Sequence, residues 1–225
     1  MGIDNYLNES SRDIPIIGKF DLIVVGGGIA GVTAAVAAAR NSLQVCLIEK
    51  NYGMGGLATL GNVTMWLPLC DGKGHQVTGG LGEELLKLSV VDLKKNNPEA
   101  GFVGIPECWL PGGEIKDRSK RRYRTDFNPA GYMFALEELV VNSGVKLLYD
   151  TRFCSVNRDA GLITHVIIEN KNGRSAIACD FVIDATGDAD VCFMAGEETI
   201  SSDANVLAAW LACRTAIRFR FRWLK

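Results

Sequence analysis

Residues 21–49 read DLIVVGGGIAGVTAAVAAARNSLQVCLIE, and the order of signals in this stretch decides the fold. Asp21–Val25 is a short apolar run rich in β-branched residues and closed by glycines, the pattern of a buried parallel strand. Ile29–Arg40 is alanine-rich and helix-prone, with side chains small enough to lie close against a sheet. Gln44–Glu49 is a second apolar strand. Strand, glycine turn, helix and strand within about 30 residues make a βαβ unit with a right-handed crossover.

The turn carries its own chemistry. Gly26, Gly28 and Gly31 form G-x-G-x-x-G between strand and helix. Gly26 permits the tight turn, Gly28 lets a pyrophosphate approach the backbone, and Gly31 lets the helix pack closely on the strands. The helix N-terminus offers unpaired N–H groups to phosphate charge. Glu49 follows about 20 residues on, at the tip of the second strand, where a carboxylate can accept both hydroxyls of a ribose. An acid there disfavours a 2′-phosphate. The βαβ unit alone leaves NAD and FAD both open.

Outward from this unit, residues 1–19 read as a flexible polar arm. Gly53–Pro68 has many glycines and few helix signals. Gly82–Lys95 is predicted as an amphipathic helix with Leu85, Leu86, Leu88 and Val91 toward a core, ended by Pro98. Pro111–Arg124 is polar and strongly basic and reads as a loop. Asn128 and Pro129 suit the N-cap and first position of a helix running to about Val141. A strand at Val145–Tyr149 leads to three short strands, Phe153–Val156, Leu162–Glu169 and Ser175–Cys179, joined by turn sequences as a β-meander. Phe181–Ala185 is predicted as one more strand, ending in Thr186-Gly187-Asp188.

Composition narrows the function. With 225 residues, 48% hydrophobic and 22% charged, the chain has the balance of a globular protein with a real core. A net charge of −2 gives no global attraction to nucleic acid or to an anionic membrane. No apolar run approaches the roughly 18 residues of a membrane helix. Seven scattered cysteines form no C-x-x-C pair and there are two histidines, so no metal site is expected and the thiols read as reduced residues of a cytoplasmic protein.

Beyond composition, Gly26-Gly27-Gly28-Ile29-Ala30-Gly31 with Ala35, Ala39, Val45 and Glu49 resembles the extended fingerprint of FAD-binding two-domain flavoproteins. Ser42 stands where that fingerprint carries a glycine closing the helix, and Asn41 is expected to take the left-handed conformation instead. Glu49-Lys50 followed by Gly53, Gly55, Gly56 and Thr59 resembles the segment that runs under the flavin. Asp184-Ala185-Thr186-Gly187-Asp188-Ala189-Asp190 resembles the second signature of the superfamily. Together with Gln76–Gly80 and Asp126–Pro129, the order is similar to the bacterial FAD-dependent oxidoreductase family related to fumarate reductase flavoproteins, over about residues 20–196.

The resemblance implies an α/β fold: a Rossmann-like FAD-binding domain with a parallel sheet and a three-stranded β-meander, discontinuous over residues 20–62 and 126–196. Residues 63–125 would form a partial substrate-side domain. It implies FAD as cofactor and hydride transfer between a small organic substrate and flavin N5. The implied roles put Glu49 on the adenosine ribose, with Lys50 beside it, and the amides of Gly28, Ile29, Ala30 and Gly31 at the pyrophosphate. Gly55, Gly56 and Thr59 would line the flavin, Phe153 would bring backbone to the adenine, and Thr186, Gly187 and Asp188 would return to the diphosphate. Asp188 would act through water or backbone, since a carboxylate repels phosphate. His75 is a candidate proton donor or acceptor, and Arg121 and Arg122, with Arg118 and Arg124, are candidates to clamp a substrate carboxylate. The rival readings are an NAD-dependent dehydrogenase and an inactive dinucleotide-binding fragment.

Members of such a family generally continue well beyond this length. The expectation is therefore a truncated form with impaired activity, residues 197–225 starting a second half supplied by missing sequence or a second chain. Arg218-Phe219-Arg220-Phe221-Arg222-Trp223 alternates strictly, as a strand with one aromatic face does.

Overall fold

The computed structural model describes residues 10–91, 105–110, 112–121 and 125–201. Its strands are β1 (Ile16–Val25), β2 (Val45–Ile48), β3 (Met65–Trp66), β4 (Thr125–Asp126), β5 (Lys146–Leu148), β6 (Arg152–Asp159), β7 (Leu162–Asn170) and β8 (Gly173–Asp184). Its helices are α1 (Ile29–Arg40), α2 (Leu81–Ser89), α3 (Ile115–Arg118), α4 (Pro129–Asn142) and α5 (Asp190–Met194). Six strands form one sheet in the order β5-β2-β1-β8-β7-β6, and β3 pairs antiparallel with β4 apart from it. β5, β2, β1 and β8 run parallel, while β8, β7 and β6 make the antiparallel meander. This is the α/β architecture expected from the sequence.

The apolar run of β1 follows from its central place. Leu22 and Val24 face α1 and α4, in a core with Val32, Val36, Leu47, Leu136 and Val140. Ile23 and Val25 point to the other face, packed with Cys46, Ile48, Val166, Ile168 and Ile177. Both faces are buried, so the strand cannot alternate with polar residues. Burial of each such side chain contributes roughly 1.5–3 kcal/mol. At the start of α4, Asn128 accepts a hydrogen bond from the Ala130 amide at 3.1 Å, with Pro129 in the first turn, as expected. Arg40 at the end of α1 donates both terminal guanidinium nitrogens to the Glu84 carboxylate on α2, at 2.7 and 2.8 Å.

Several boundaries differ from the sequence reading. β1 begins at Ile16, so residues 16–19 belong to the sheet rather than to the arm: Ile16 pairs with Ala176, and a register shift separates it from Lys19. Ser175–Cys179 and Phe181–Asp184 are not two strands but parts of β8, which ends before Ala185, because β1 pairs with it on both sides of Asp180, from Lys19 opposite Ala178 to Val25 opposite Asp184. β6 extends to Asp159, with Ala160 and Gly161, both at positive φ, making the turn. Val91 is 55% exposed rather than in the core, while Leu85 and Leu86 are buried as expected. Ser42 itself, at φ 68°, takes the left-handed conformation expected of Asn41. The basic stretch contains α3. Arg122, Arg124, Pro98, the part of the expected helix beyond Val91 and the segment from residue 202 onward lie outside the described residues.

Candidate functional site

Two close approaches build the glycine turn. A Cβ on Gly31 would stand 1.8 Å from the Gly26 carbonyl oxygen, and one on Gly26, at φ +106°, would stand 2.3 Å from the carbonyl of Ala185. The start of α1 therefore seats directly on the ends of β1 and β8. Gly28 is the opposite case: at φ −67° and ψ 177°, a Cβ there would meet nothing within 4 Å. The backbone leaves open space at the N-cap of a twelve-residue helix, whose first-turn amides have no carbonyl partner within the helix.

Glu49 is buried beneath this turn. Its Oε2 accepts the Gly27 amide at 2.6 Å, and its Oε1 accepts the backbone amide and side-chain nitrogen of Asn51 at 2.7 and 2.9 Å. A carboxylate has about four acceptor positions, so three occupied ones leave room for one further donor, not for both ribose hydroxyls. The segment after it runs under the turn. The Gly55 amide donates to the Gly27 carbonyl at 2.8 Å, and a Cβ on Gly56 would reach the Gly28 Cα at 3.1 Å. Thr59 is buried with its hydroxyl donating to the Met54 carbonyl, so its proton is used within the loop.

On the strand side, Lys50, Tyr52, Asp150, Arg152, Glu169, Asn170 and Lys171 line a cleft of about 360 Å³. The Thr151 amide donates to the Glu49 carbonyl at 3.1 Å, which ties this edge to the turn. Phe153 turns its ring into the core shared with Ile23 and Ile168. At the other end, Asp184 closes β8. Its Oδ1 accepts the Thr186 amide and hydroxyl at 3.0 and 2.7 Å, and its Oδ2 accepts the Val191 and Cys192 amides at 2.9 and 3.1 Å. Burial alone would raise the Asp184 carboxyl, but these hydrogen bonds outweigh it and hold the group below the ordinary carboxylate range. Thr186 also accepts the Asp190 amide at 3.0 Å, so its hydroxyl organises the turn. Gly187, at φ +92°, faces open space, and Asp188 is exposed.

The structure thus brings together Gly26, Gly28, Ile29, Ala30, Gly31, Glu49, Gly55 and Gly56, with Thr186 and Gly187 beyond Ala185. The sequence reading missed Gly27 and Asn51, which orient the Glu49 carboxylate, and the bracing by Asp184. An Asp two residues before a Thr and just ahead of a short helix was the available signal, since short polar side chains bond nearby amides. The catalytic candidates sit elsewhere. His75 Nδ1 lies 2.9 Å from Asp71 Oδ2, on an exposed loop whose Gly74 abuts the Ile115 carbonyl of α3. Hydrogen bonds from the Lys73 amide and from His75 draw the Asp71 carboxyl down to about 2. Arg118 does not stand free for a substrate: its Nε donates to the Cys108 carbonyl at 2.7 Å and its guanidinium lies 5.5 Å from the Trp109 ring centre. Arg121 is exposed and its carbonyl accepts the Trp109 indole N–H at 2.8 Å. Among the described residues no helix is long and apolar enough to cross a membrane.

Comparison with known proteins adds to this geometry. A family model described as FAD dependent oxidoreductase matches residues 21–205. A thioredoxin reductase from Ureaplasma parvum is 35% identical over 71 residues, which are 32% of this chain and 23% of that protein. A dihydrolipoyl dehydrogenase from Chlorobaculum parvum is 29% identical over 143 residues, 64% of this chain and 27% of the other. The solved structure of a geranylgeranyl bacteriochlorophyll reductase-like protein from Thermoplasma acidophilum superposes with a TM-score of 0.53 at 18% identity, over 80% of this chain and 42% of its own. This chain spans about a quarter of the length of those two curated relatives.

Proposed function

The chain belongs to the FAD dependent oxidoreductase family, and from that premise we propose that it takes part in a redox reaction between FAD and a small organic substrate. The carrying observation is the open space at Gly28, between a helix N-terminus and a glycine segment already seated beneath it. A pyrophosphate fits that opening, where backbone amides meet its charge without a side chain in the way. Glu49, fixed by Gly27 and Asn51, accepts one ribose hydroxyl with its remaining acceptor position. The cleft beside Lys50 and Arg152 takes the adenine side, next to the backbone of Phe153. Gly55, Gly56 and Thr59 border the flavin end, and Gly187, with Asp188 acting through backbone or water, closes the diphosphate. FAD, when bound, supplies a ring that accepts or returns a hydride.

The same proposal treats residues 20–62 and 126–196 as one discontinuous FAD-binding domain and 63–125 as the substrate side. What supports this division is that the two ends of the 63–125 segment, at Met65–Trp66 and Thr125–Asp126, pair with each other as β3–β4 apart from the main sheet. His75, oriented by Asp71, remains the candidate proton carrier, and Arg121 and Arg122 the candidates for a substrate carboxylate. A bacterial cytoplasm, a partner segment from a second chain or from further sequence, and no nucleic-acid partner complete the reading. The scattered cysteines and the net charge of −2 support its cellular part.

The test is to release bound nucleotide by heat from the purified protein, identify it, and titrate FAD into wild-type and Gly28→Val protein. The expected result is FAD from the wild type and at least about a tenfold weaker titration for the variant at unchanged stability. Wild-type protein that takes up NAD but no FAD, or neither, overturns the proposal, as does a Gly28→Val variant that binds FAD like the wild type.

A further inference from the structure

The two oxygens of the Glu49 carboxylate are unequally occupied. Oε2 accepts one hydrogen bond, from the Gly27 amide at 2.6 Å. Oε1 accepts two, from the Asn51 backbone amide at 2.7 Å and from the Asn51 side-chain nitrogen at 2.9 Å. A carboxylate oxygen offers about two lone-pair positions, so Oε1 is full and the position left over is on Oε2. The two bonds from Asn51 differ in origin. The backbone bond comes with the path of the chain, where the Asn51 carbonyl in turn accepts the Asp150 amide at 3.3 Å. The side-chain bond comes with the choice of residue: an alanine at this position would keep the first bond and lack the second. Glu49 is buried whereas Asn51 is exposed, so a surface residue caps an acceptor that is otherwise turned inward.

We propose that Asn51 determines how the ribose is read: its side-chain amide holds the acceptor position that a second ribose hydroxyl would need, so the nucleotide site recognises one hydroxyl rather than two. The inference rests on the reading of Glu49 as the ribose acceptor. The first hydroxyl meets the open position on Oε2 and displaces no protein donor. It therefore keeps the full gain of a hydrogen bond to a charged group, about tenfold or more in affinity. The second hydroxyl has to expel the Asn51 amide from Oε1. The bond broken and the bond made both run to the same carboxylate oxygen, so the exchange gains little. The ligand class follows from this asymmetry. An adenine nucleotide whose ribose lacks the unread hydroxyl is accepted nearly as well as the parent, whereas one that lacks the other hydroxyl is not. Asn51 thus sets specificity at a site whose affinity comes from the glycine turn.

Titration of FAD, ADP, 2′-deoxy-ADP and 3′-deoxy-ADP into the full chain, freed of bound nucleotide, tests this in the wild type and in Asn51→Ala. In the wild type one deoxy analogue is expected to bind within about threefold of ADP and the other at least about tenfold more weakly. In Asn51→Ala the second position on Oε1 is open, so both analogues should fall at least about tenfold below ADP, and ADP and FAD should bind more tightly than to the wild type. A wild type that loses tenfold with both analogues, or with neither, overturns the proposal. So does an Asn51→Ala variant that keeps the wild-type pattern. The wild-type comparison needs no variant and decides the matter if Asn51→Ala does not fold. Protein that takes up FAD and ADP but shows the wrong pattern fails this proposal alone, whereas protein that takes up neither fails the cofactor reading as well.

Discussion

The glycine turn and the layer where β3–β4 meets α4 treat their polar groups in opposite ways. Around the turn, Glu49 and Thr59 are buried and both are hydrogen-bonded from within the chain. In the β3–β4 layer, Trp66 Nε1, Thr125 Oγ1 and Tyr132 Oη are buried with no partner among the described residues, close about Phe127, whose ring lies 6.5 Å from Trp66 and 5.0 Å from Tyr132. An unpartnered buried polar atom costs about 1–3 kcal/mol. The first region is finished by its own backbone, while the second carries polar atoms left unpaired among the described residues. Substitutions should therefore act on stability in opposite directions in the two.

The largest effect is expected at Gly31. A Cβ 1.8 Å from the Gly26 oxygen cannot be relieved by a side-chain rotation, because the obstacle is backbone. Gly31→Val should cost more than about 3 kcal/mol in urea unfolding, or abolish folding. Gly28→Val, three residues away, should leave the unfolding midpoint within about 0.5 kcal/mol of wild type. Equal losses at the two glycines would show that the turn discriminates between its glycines by something other than space.

That distinction was largely legible in the sequence, because the βαβ unit announces itself locally. An apolar run, a glycine pattern and an alanine-rich helix need no distant partner to be recognised. Long-range pairing was less legible. Asp180 reads as a break between two strands, yet β1 holds the backbone extended straight through it while the side chain stays half-exposed beside Lys19. Pro15 and Gly18 read as a loose arm, yet the Pro15 carbonyl accepts the Ala176 amide at 2.9 Å and anchors the start of β1. Val91 fits the helical stripe by spacing, but α2 ends at Ser89, before that stripe can carry it into the core. At the site, the fingerprint glycines and Glu49 were readable from spacing. The hydrogen bonds that occupy Glu49, Thr59 and Thr186 were not, since each depends on where a neighbouring loop folds back.

Glu49→Gln probes the turn next. The amide replaces a charged acceptor of three hydrogen bonds and turns an NH₂ toward at least one donor. A loss of about 1–3 kcal/mol is expected, measured as a drop in urea midpoint without added nucleotide. A change below about 0.5 kcal/mol would mean that the carboxylate is not the internal brace the geometry describes.

Asp184→Asn is expected to act through pH. The Asp184 carboxyl is held below its ordinary range in the folded protein, so its contribution is full above that range and is lost as pH falls through the lowered folded value. The stability gap between wild type and Asp184→Asn should thus be constant above about pH 5 and shrink below it. Unfolding midpoints at neutral and acid pH read this directly. A gap that widens on acidification contradicts the bonding from Thr186, Val191 and Cys192.

Tyr132→Phe should have the smallest effect and the most informative sign. Burial pushes the Tyr132 phenol well above its ordinary range, so it is a neutral hydroxyl at any working pH. Removing a polar atom that has no partner among the described residues takes away a desolvation cost and no hydrogen bond seen there, and the ring keeps its edge contact with Phe127. The unfolding midpoint should stay level or rise, by no more than about 1 kcal/mol. A fall of that size would mean the hydroxyl is bonded after all, for instance through a buried water shared with Trp66 and Thr125, and the contrast between the two regions would be lost. Repeating the pair in the Glu49→Gln background separates the regions cleanly: sites with no shared partners add, and an additive double variant would place the two effects in independent parts of the core.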